Sequence, residues 1–427
     1  MRRRRVVNKD KSVRAFALWA GLGVLVLCVA LGAQTPAAPK YRFDPDWPKP
    51  MPNKWKIGGV TGLAVDKDDN VWVLDRPNDL RDMELKAELD PPTAACCTRP
   101  PAMIHIDKNG NVIGYFDPPQ GHGMAVDKQG FVYIGNAVKG LNTVRKYDPK
   151  TGKLLAEVPR APEAQGGGGG DDADEAPHIP GRGGPGPVGT YPAVRGGGGG
   201  GGRGGANAAA QAAGAAAFIA KYPPTTPMIV GQIEEVRIDD AAHELYCSDS
   251  YLGGRVMVFD LDTFQFKRGW GAYGHKLSEI STDPKDRDYT PGGPTPKEFK
   301  GHLTLNISGD GLVYAADRAG NRIIVTKKDG TYVKEIKVAE HTAGGSAGGV
   351  MFSPDKEQRI LYISDINNNT VWFLNRADGA ALGNLGSMGQ NGGQFFGLHM
   401  EATDSKGNLY TGEVFNGERV QRFLLMK

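Results

Sequence analysis

The chain is poor in several things that would settle its class early. Four cysteines in 427 residues are too few for a disulfide-dense secreted framework. Past the first 33 residues no apolar run is long enough to span a bilayer. A basic excess is also missing from the body. The formal charge is +3, yet residues 1–33 hold seven Lys/Arg against one Asp, which leaves the remainder near −3. A mildly acidic body excludes a general nucleic-acid binder. No strict Gly-X-Y period is present, so collagen is excluded although glycine (61 residues) runs at about twice its usual share.

What is present begins with a leader. Arg2 to Arg5, Lys9, Lys11 and Arg14 form a basic region, Ala15 to Leu31 is uncharged and apolar, and Ala30-Leu31-Gly32-Ala33 supplies small residues for cleavage. Residues 1–33 therefore read as a signal peptide, or as an uncleaved anchor, since the apolar run is just long enough to cross. Leu27 before Cys28 is too bulky for a lipoprotein box. The expected location is exported: periplasmic, extracellular or cell-envelope, with the membrane a partner only if the leader stays. Oxidising conditions then make a Cys96–Cys97 disulfide one state of that adjacent pair, beside two free thiols; a metal site lacks partners at the usual spacing.

One phrase recurs six times: an apolar strand, a turn, then a strand with a central Tyr or Trp and a final acid, Asn136 taking the acid's place in the second copy. The copies are Gly62–Asp66 with Asn70–Asp75, Gly123–Asp127 with Gly130–Asn136, and Val236–Asp239 with Leu245–Asp249. They continue with Leu303–Ile307 and Gly311–Asp317, Val350–Ser353 and Ile360–Asp365, and Met400–Asp404 and Gly407–Glu413. Period-2 alternation between turn residues predicts antiparallel strands. Six copies of four strands predict an all-β, six-bladed β-propeller over 41–427, with Tyr41–Asp44 closing the last blade. Residues 77–101 and 272–300 read as loops. Residues 159–226 are a low-complexity insertion whose glycine runs lose too much entropy to fold. Within it, Ala206 to Lys221 has helical composition.

Three of eight histidines share one repeat position. His122 and His399 lie eleven residues before Tyr133 and Tyr410; His302 lies twelve before Tyr314, the extra residue being assigned to the turn. Thr61 and Glu235 hold the corresponding place in blades one and three. The first strand of each blade lines the channel, so imidazoles from blades two, four and six converge. Three imidazoles with open positions describe a catalytic zinc site or a related metal site. His105, His178, His243, His275 and His341 lack this register and read as surface or loop residues. Arg76 and Arg318 follow the acid of the second strand in blades one and four, and Tyr251 lies one residue further along in blade three. Two guanidiniums beside a metal suit a carboxylate, and a phenol suits proton transfer. Arg255 and Arg322 read instead as structural, packing on neighbouring blades.

These residues resemble NHL-repeat propellers, and more narrowly the peptidyl-α-hydroxyglycine α-amidating lyases. The resemblance covers roughly 57–158 and 230–427. It rests on His122-Gly-Met-Ala-Val-Asp127, Asp249-Ser-Tyr-Leu-Gly-Gly-Arg255, His302 with Ala316-Asp-Arg318, and Leu398-His399. It implies zinc on His122, His302 and His399, with Arg76, Arg318 and Tyr251 as catalytic residues. The substrate would be a peptide C-terminus or small molecule carrying an α-hydroxyglycine, cleaved to an amide and glyoxylate. The family also holds a structural calcium with an Asp after its last histidine; Met400 stands there here. A non-catalytic exported propeller that binds protein, peptide or glycan is the alternative. Calcium-dependent hydrolases or lactonases on this fold use Glu, Asn and Asp ligands instead, and fold alone does not choose among them.

Overall fold

The computed structural model describes residues 35–136, 142–162, 205–414 and 417–426, with side chains of the helix only from 213. The leader over 1–33, with Cys28, and residues 163–204 of the insertion, with His178, lie outside the described residues. The rest forms six four-stranded antiparallel sheets. Blade one is Gly59–Val65, Val71–Arg76, Met103–Ile106 and Val112–Phe116. Blades two to five begin with Met124–Val126, Gln232–Asp239, Leu303–Ile307 and Met351–Phe352 and continue outward in chain order. Blade six is Leu398–Thr403, Leu409–Glu413 and Arg419–Leu425, completed by Tyr41–Phe43 from the other end of the chain. The six-bladed propeller and its closing strand follow the sequence expectation.

The second strands explain why the sheets stack. Val71-Trp-Val-Leu-Asp75 and Ile360-Leu-Tyr-Ile-Ser-Asp365 are buried along their whole length. Both faces of these strands meet another blade. Trp72, Leu74 and Met103 of blade one pack on Met124, Val132 and Ile134 of blade two. Tyr314 and Ile323 of blade four pack on Val350 and Leu361 of blade five. Each such side chain contributes about 1.5–3 kcal/mol by leaving water. In blades two, three and six the repeated tyrosine carries its polar end to an acid: Tyr133 and Tyr410 donate to Asp127 and Asp404 Oδ2 at 3.0 and 3.2 Å, and Tyr246 donates to Glu244 Oε2 at 2.7 Å. In blade one Trp72 replaces tyrosine. His105 stacks on it at 3.8 Å and takes over the bond to Asp66 Oδ2 at 3.0 Å, which is a structural role.

A second repeated device sits at the channel end of the second strand, where a buried acid meets the arginine that opens the third strand. Asp249 accepts from Arg255 Nε at 2.9 Å and from the amides of Gly231 and Val230 at 2.6 and 3.2 Å. Asp317 accepts from Arg322 Nε at 3.0 Å and from the amides of Lys300 and Gly301 at 3.1 and 3.2 Å. Glu413 accepts from Arg419 Nε and from Phe396 N–H, both at 2.7 Å. The acid thereby holds the residues that lead into its own blade's first strand. Arg255 and Arg322 do not pack on neighbouring blades as expected. They turn onto the acid of their own blade and tie down the loop before it: Arg322 also donates to the carbonyls of Pro296 and Glu298 at 2.6 and 2.8 Å. Blade one has the acid without the arginine: Asp75 accepts from Gly58 N–H at 2.7 Å, its Oδ2 has no partner, and burial pushes its carboxyl well above the usual range.

The insertion enters and leaves between blades two and three on paired stems, Ala161 N–H to Ile229 O at 2.8 Å and Ile229 N–H to Pro159 O at 2.9 Å. Its expected helix is present as Gly205–Lys221, and Phe218 and Tyr222 settle on Ala161 and Val230. Among the described residues no helix is long and apolar enough to cross a membrane. Cys96 and Cys97 are joined as a vicinal disulfide in the loop of blade one, and Cys247 is buried and free.

Three outcomes follow from these contacts. Phe43→Ala removes a half-buried ring packed on Phe423 at 6.0 Å and is expected to cost about 2 kcal/mol, read as a lower urea midpoint at unchanged slope. Arg322→Ala strands the Asp317 carboxylate and should cost about 3–5 kcal/mol. Asp75→Asn behaves oppositely. A carboxyl whose native pKa is raised stabilises the fold only while protonated, so the wild type loses stability as pH climbs above the unfolded value of about 4. Denaturation at pH 4 and pH 7 should show the variant gaining on the wild type as pH rises.

Candidate functional site

The channel mouth is built by a backbone irregularity. In blade six Leu398 pairs with Glu413 and Met400 with Gly412, which leaves His399 as an extra residue. Blade one does the same at Thr61, between Val60–Asp75 and Gly62–Leu74. In blade two Gly135 faces two residues, accepting from His122 N–H at 2.6 Å and donating to Gly123 O at 3.0 Å. In blade three Ile233 pairs with Asp249 and Val236 with Cys247, so Glu234 and Glu235 both face Ser248. A bulge re-aims a side chain out of the regular pleat. Here it re-aims one residue in each of blades one, two, three and six.

Strand register corrects two assignments. Counting back from Tyr246 points to Glu235, but the turn at 240–243 of blade three is one residue longer than its counterparts, and the bulge position belongs to Glu234. His302 was given an extra turn residue; the turn at 309–311 of blade four matches those at 128–130 and 405–407. Blade four simply lacks the bulge. His302 stands just outside its strand at φ +54°, its carbonyl accepting from Arg318 N–H at 3.3 Å. Around the ring the sequence of side chains is therefore His399, Thr61, His122, Glu234, His302.

Glu234 is the residue that the spacing missed. Its Oε2 lies 3.6 Å from His122 Nε2 and 3.6 Å from His302 Nδ1, and its backbone carbonyl accepts from His122 Nδ1 at 2.8 Å. The rings of His122 and His399 are 4.9 Å apart. His399 Nδ1 is buried with no partner. The Tyr251 hydroxyl meets the edge of the His302 ring, 2.7 Å from Nδ1 and 3.1 Å from Nε2. Tyr251 itself sits at φ +50°, in a turn held closed because Gly253 leaves room for Asp249: a Cβ there would lie 2.5 Å from its carboxyl carbon. Arg318 is 8% exposed and its Nε has no partner, while Arg76 Nη2 reaches Asp79 Oδ1 at 3.1 Å.

Contacts thus link Tyr251, His302, Glu234, His122 and His399 in one chain, and Arg318 and Arg76 lie near enough for their charge to act on His122 and His399. Burial lowers the pKa of all three histidines, and Arg318 and Arg76 press on His122 and His399 in the same direction. Glu234 is held well below the usual carboxylate range by His122, His302 and Arg318, against the effect of its own burial. One step down the channel burial pushes Glu235 up to about 7 although Arg237 Nη1 lies 2.6 Å away. Burial also raises Glu401 well above its usual value.

The donors can be tested against zinc. Two atoms about 2.1 Å from one zinc at the tetrahedral angle stand about 3.4 Å apart, and two ligating imidazole centres about 5 Å apart. The 3.6 Å and 4.9 Å separations match those spans pair by pair. The Nδ1–H of His122 donated to a backbone carbonyl is the support a ligating imidazole needs, because it leaves Nε2 with its lone pair. The set is not closed, however: among the described residues no group of three or more His, Cys, Asp or Glu is gathered tightly enough to hold a metal ion as it stands. Donor type and pair spacing fit zinc; a single shared centre is not formed.

The sequence matches no known family and no curated protein. Solved structures align with the chain at low identity. A protein of unknown function from Bacteroides thetaiotaomicron aligns over 87% of this chain and 70% of its own length, at 15% identity and a TM-score of 0.49. Virginiamycin B lyase from Staphylococcus aureus, solved with quinupristin, aligns over 91% and 89% at 9% identity and 0.43. Hydrazine synthase of Kuenenia stuttgartiensis aligns over 83% and 74% at 12% and 0.42.

Proposed function

We propose that the chain is an exported, zinc-dependent, lyase-like propeller that cleaves a peptidyl-α-hydroxyglycine-type carbinolamide to an amide and glyoxylate. One observation carries this reading: five blades deliver to one mouth three imidazoles, a phenol touching one of them, and two guanidiniums. His122, His302 and His399 would hold the zinc. Bound zinc supplies Lewis acidity toward an oxygen of the substrate. Arg318 and Arg76 give the mouth the positive charge that draws in and orients a terminal carboxylate. Tyr251 is the group placed to move a proton. The hydroxyl of the carbinolamide loses its proton, the C–N bond breaks, the carbon becomes the aldehyde of glyoxylate, and the amide nitrogen takes up a proton. A structural calcium is a lesser part of the reading, since Met400 brings no carboxylate to it.

A second reading, a non-catalytic exported propeller binding a protein, peptide or glycan, is favoured by the imidazoles not being gathered on one centre. The two separate on one assay. With a peptide ending in α-hydroxyglycine, the zinc-loaded protein should release glyoxylate, lose that activity to a chelator and regain it with zinc. Tyr251→Phe should lower kcat by about 10²–10⁴, and Arg318→Ala should raise KM by about 10–100-fold. Undiminished turnover in the metal-stripped protein, or no glyoxylate at all, removes the lyase reading.

A further inference from the structure

Blade five breaks a pattern that three other blades keep. Opposite the acid that ends the second strand, blades three, four and six set Arg255, Arg322 and Arg419, whereas blade five sets Thr370 opposite Asp365. Asp365 is fully buried and takes other donors. Its Oδ1 accepts from the amides of Asn367 and Asn368 at 3.0 and 2.9 Å, and its Oδ2 from Asn368 Nδ2 at 2.6 Å and from Trp372 Nε1 at 2.9 Å. One acid thus fixes an indole and an Asn-Asn turn side by side. The loop before the blade is held instead by Asn367 Nδ2, which donates to Gly345 O. Trp372 and this turn form one side of a groove of about 640 Å³, and the loop over 339–343, with His341 and Thr342, forms the other. That volume lies within the range of small-molecule sites, about 300–1,000 Å³.

The lining says what the groove takes. Trp372 spends its only polar atom on Asp365, so it offers the groove an apolar ring. Asn367 and Asn368 are tied by their nitrogens, which leaves Oδ1 of each to accept. Thr342 Oγ1 accepts from Asn368 Nδ2 at 3.0 Å and keeps its hydrogen to donate. The Glu340 carboxylate is answered by Lys337 at 2.9 Å. A fixed indole rimmed by neutral acceptors and a donor complements a sugar, whose C–H bonds meet the electron-rich ring while its hydroxyls meet the amides. A purely apolar ligand would cover the amide oxygens without supplying a donor. We propose that this groove is a carbohydrate-binding site for a neutral, gluco-configured sugar, whose equatorial hydroxyls leave a C–H face for Trp372. The groove shares no residue with the histidine cluster, and the inference holds whether or not the mouth is catalytic.

The experiment uses the full chain and reads the binding of cellobiose and of diacetylchitobiose by saturation-transfer NMR and calorimetry. Sorbitol, which has the hydroxyls without the ring face, is the control. The wild type is expected to bind at least one of the two sugars in the millimolar range and to show no response to sorbitol. Trp372→Ala should weaken that binding by about 10-fold or more. Thr342→Val, which keeps the wall and removes the hydroxyl, should weaken it by about 3–10-fold. If Trp372→Ala does not fold, Thr342→Val on its half-exposed loop carries the test. No binding of either sugar, binding no better than that of sorbitol, or wild-type affinity in the folded variants overturns the inference.

Discussion

The buried acid that ends the second strand of blades three, four and six is the constraint on which the mouth depends. Asp249, Asp317 and Glu413 each spend a carboxyl group on an arginine and on the amides just ahead of a first strand. Those amides belong to the segments that end in the bulge of Glu234, in His302 and in His399. A charge pair fully withdrawn from water is a weak source of net stability, because desolvation consumes most of the attraction. Its use here is positional: the acid accepts only where the loop amides converge, so the loop has one seat. Blades three, four and six have this clamp and carry Glu234, His302 and His399.

The repeat was legible because burial on both faces imposes it. A second strand between two blades must be apolar along most of its length, and its tyrosine must find a polar partner, an acid for Tyr133, Tyr246 and Tyr410, Arg376 for Tyr314 and Tyr41 for Tyr362, so the phrase recurs. Blade one shows the same demand met by other residues, with His105 on Trp72 standing in for a tyrosine hydroxyl. The closing strand was legible for a related reason, since Tyr41-Arg-Phe43 alternates and a last blade of three strands leaves an unpaired edge.

The mouth was legible by residue type and illegible by register. Counting from a tyrosine assumes equal turns and unbroken pairing. The turn at 240–243 is one residue longer, and the bulge adds another, so Glu234 was hidden behind its neighbour Glu235. His302 was found, but through a compensating error: its blade lacks the bulge and reaches the same height from outside the strand, with a backbone at positive φ. Nothing in a linear pattern distinguishes an extra residue in a turn from one in a ladder. The electrostatics were equally hidden. Glu234 and Glu235 are adjacent and chemically identical, yet one is held ionised beside imidazoles and Arg318 while burial pushes the other up to about 7.

The way the ring closes has a temporal side. Among the described residues Tyr41–Phe43 pairs as a strand only with Arg419–Leu425, so the first described strand waits for the last. Five blades assemble from neighbours in sequence, while the sixth needs contact between the two ends of the polypeptide, the slowest kind of encounter a chain makes. Until then the circle stays open at blade six, the blade that carries His399 and borders Thr61. The imidazole cluster is therefore complete only in a finished molecule, and a ribosome-bound or C-terminally trimmed chain has the other blades without it.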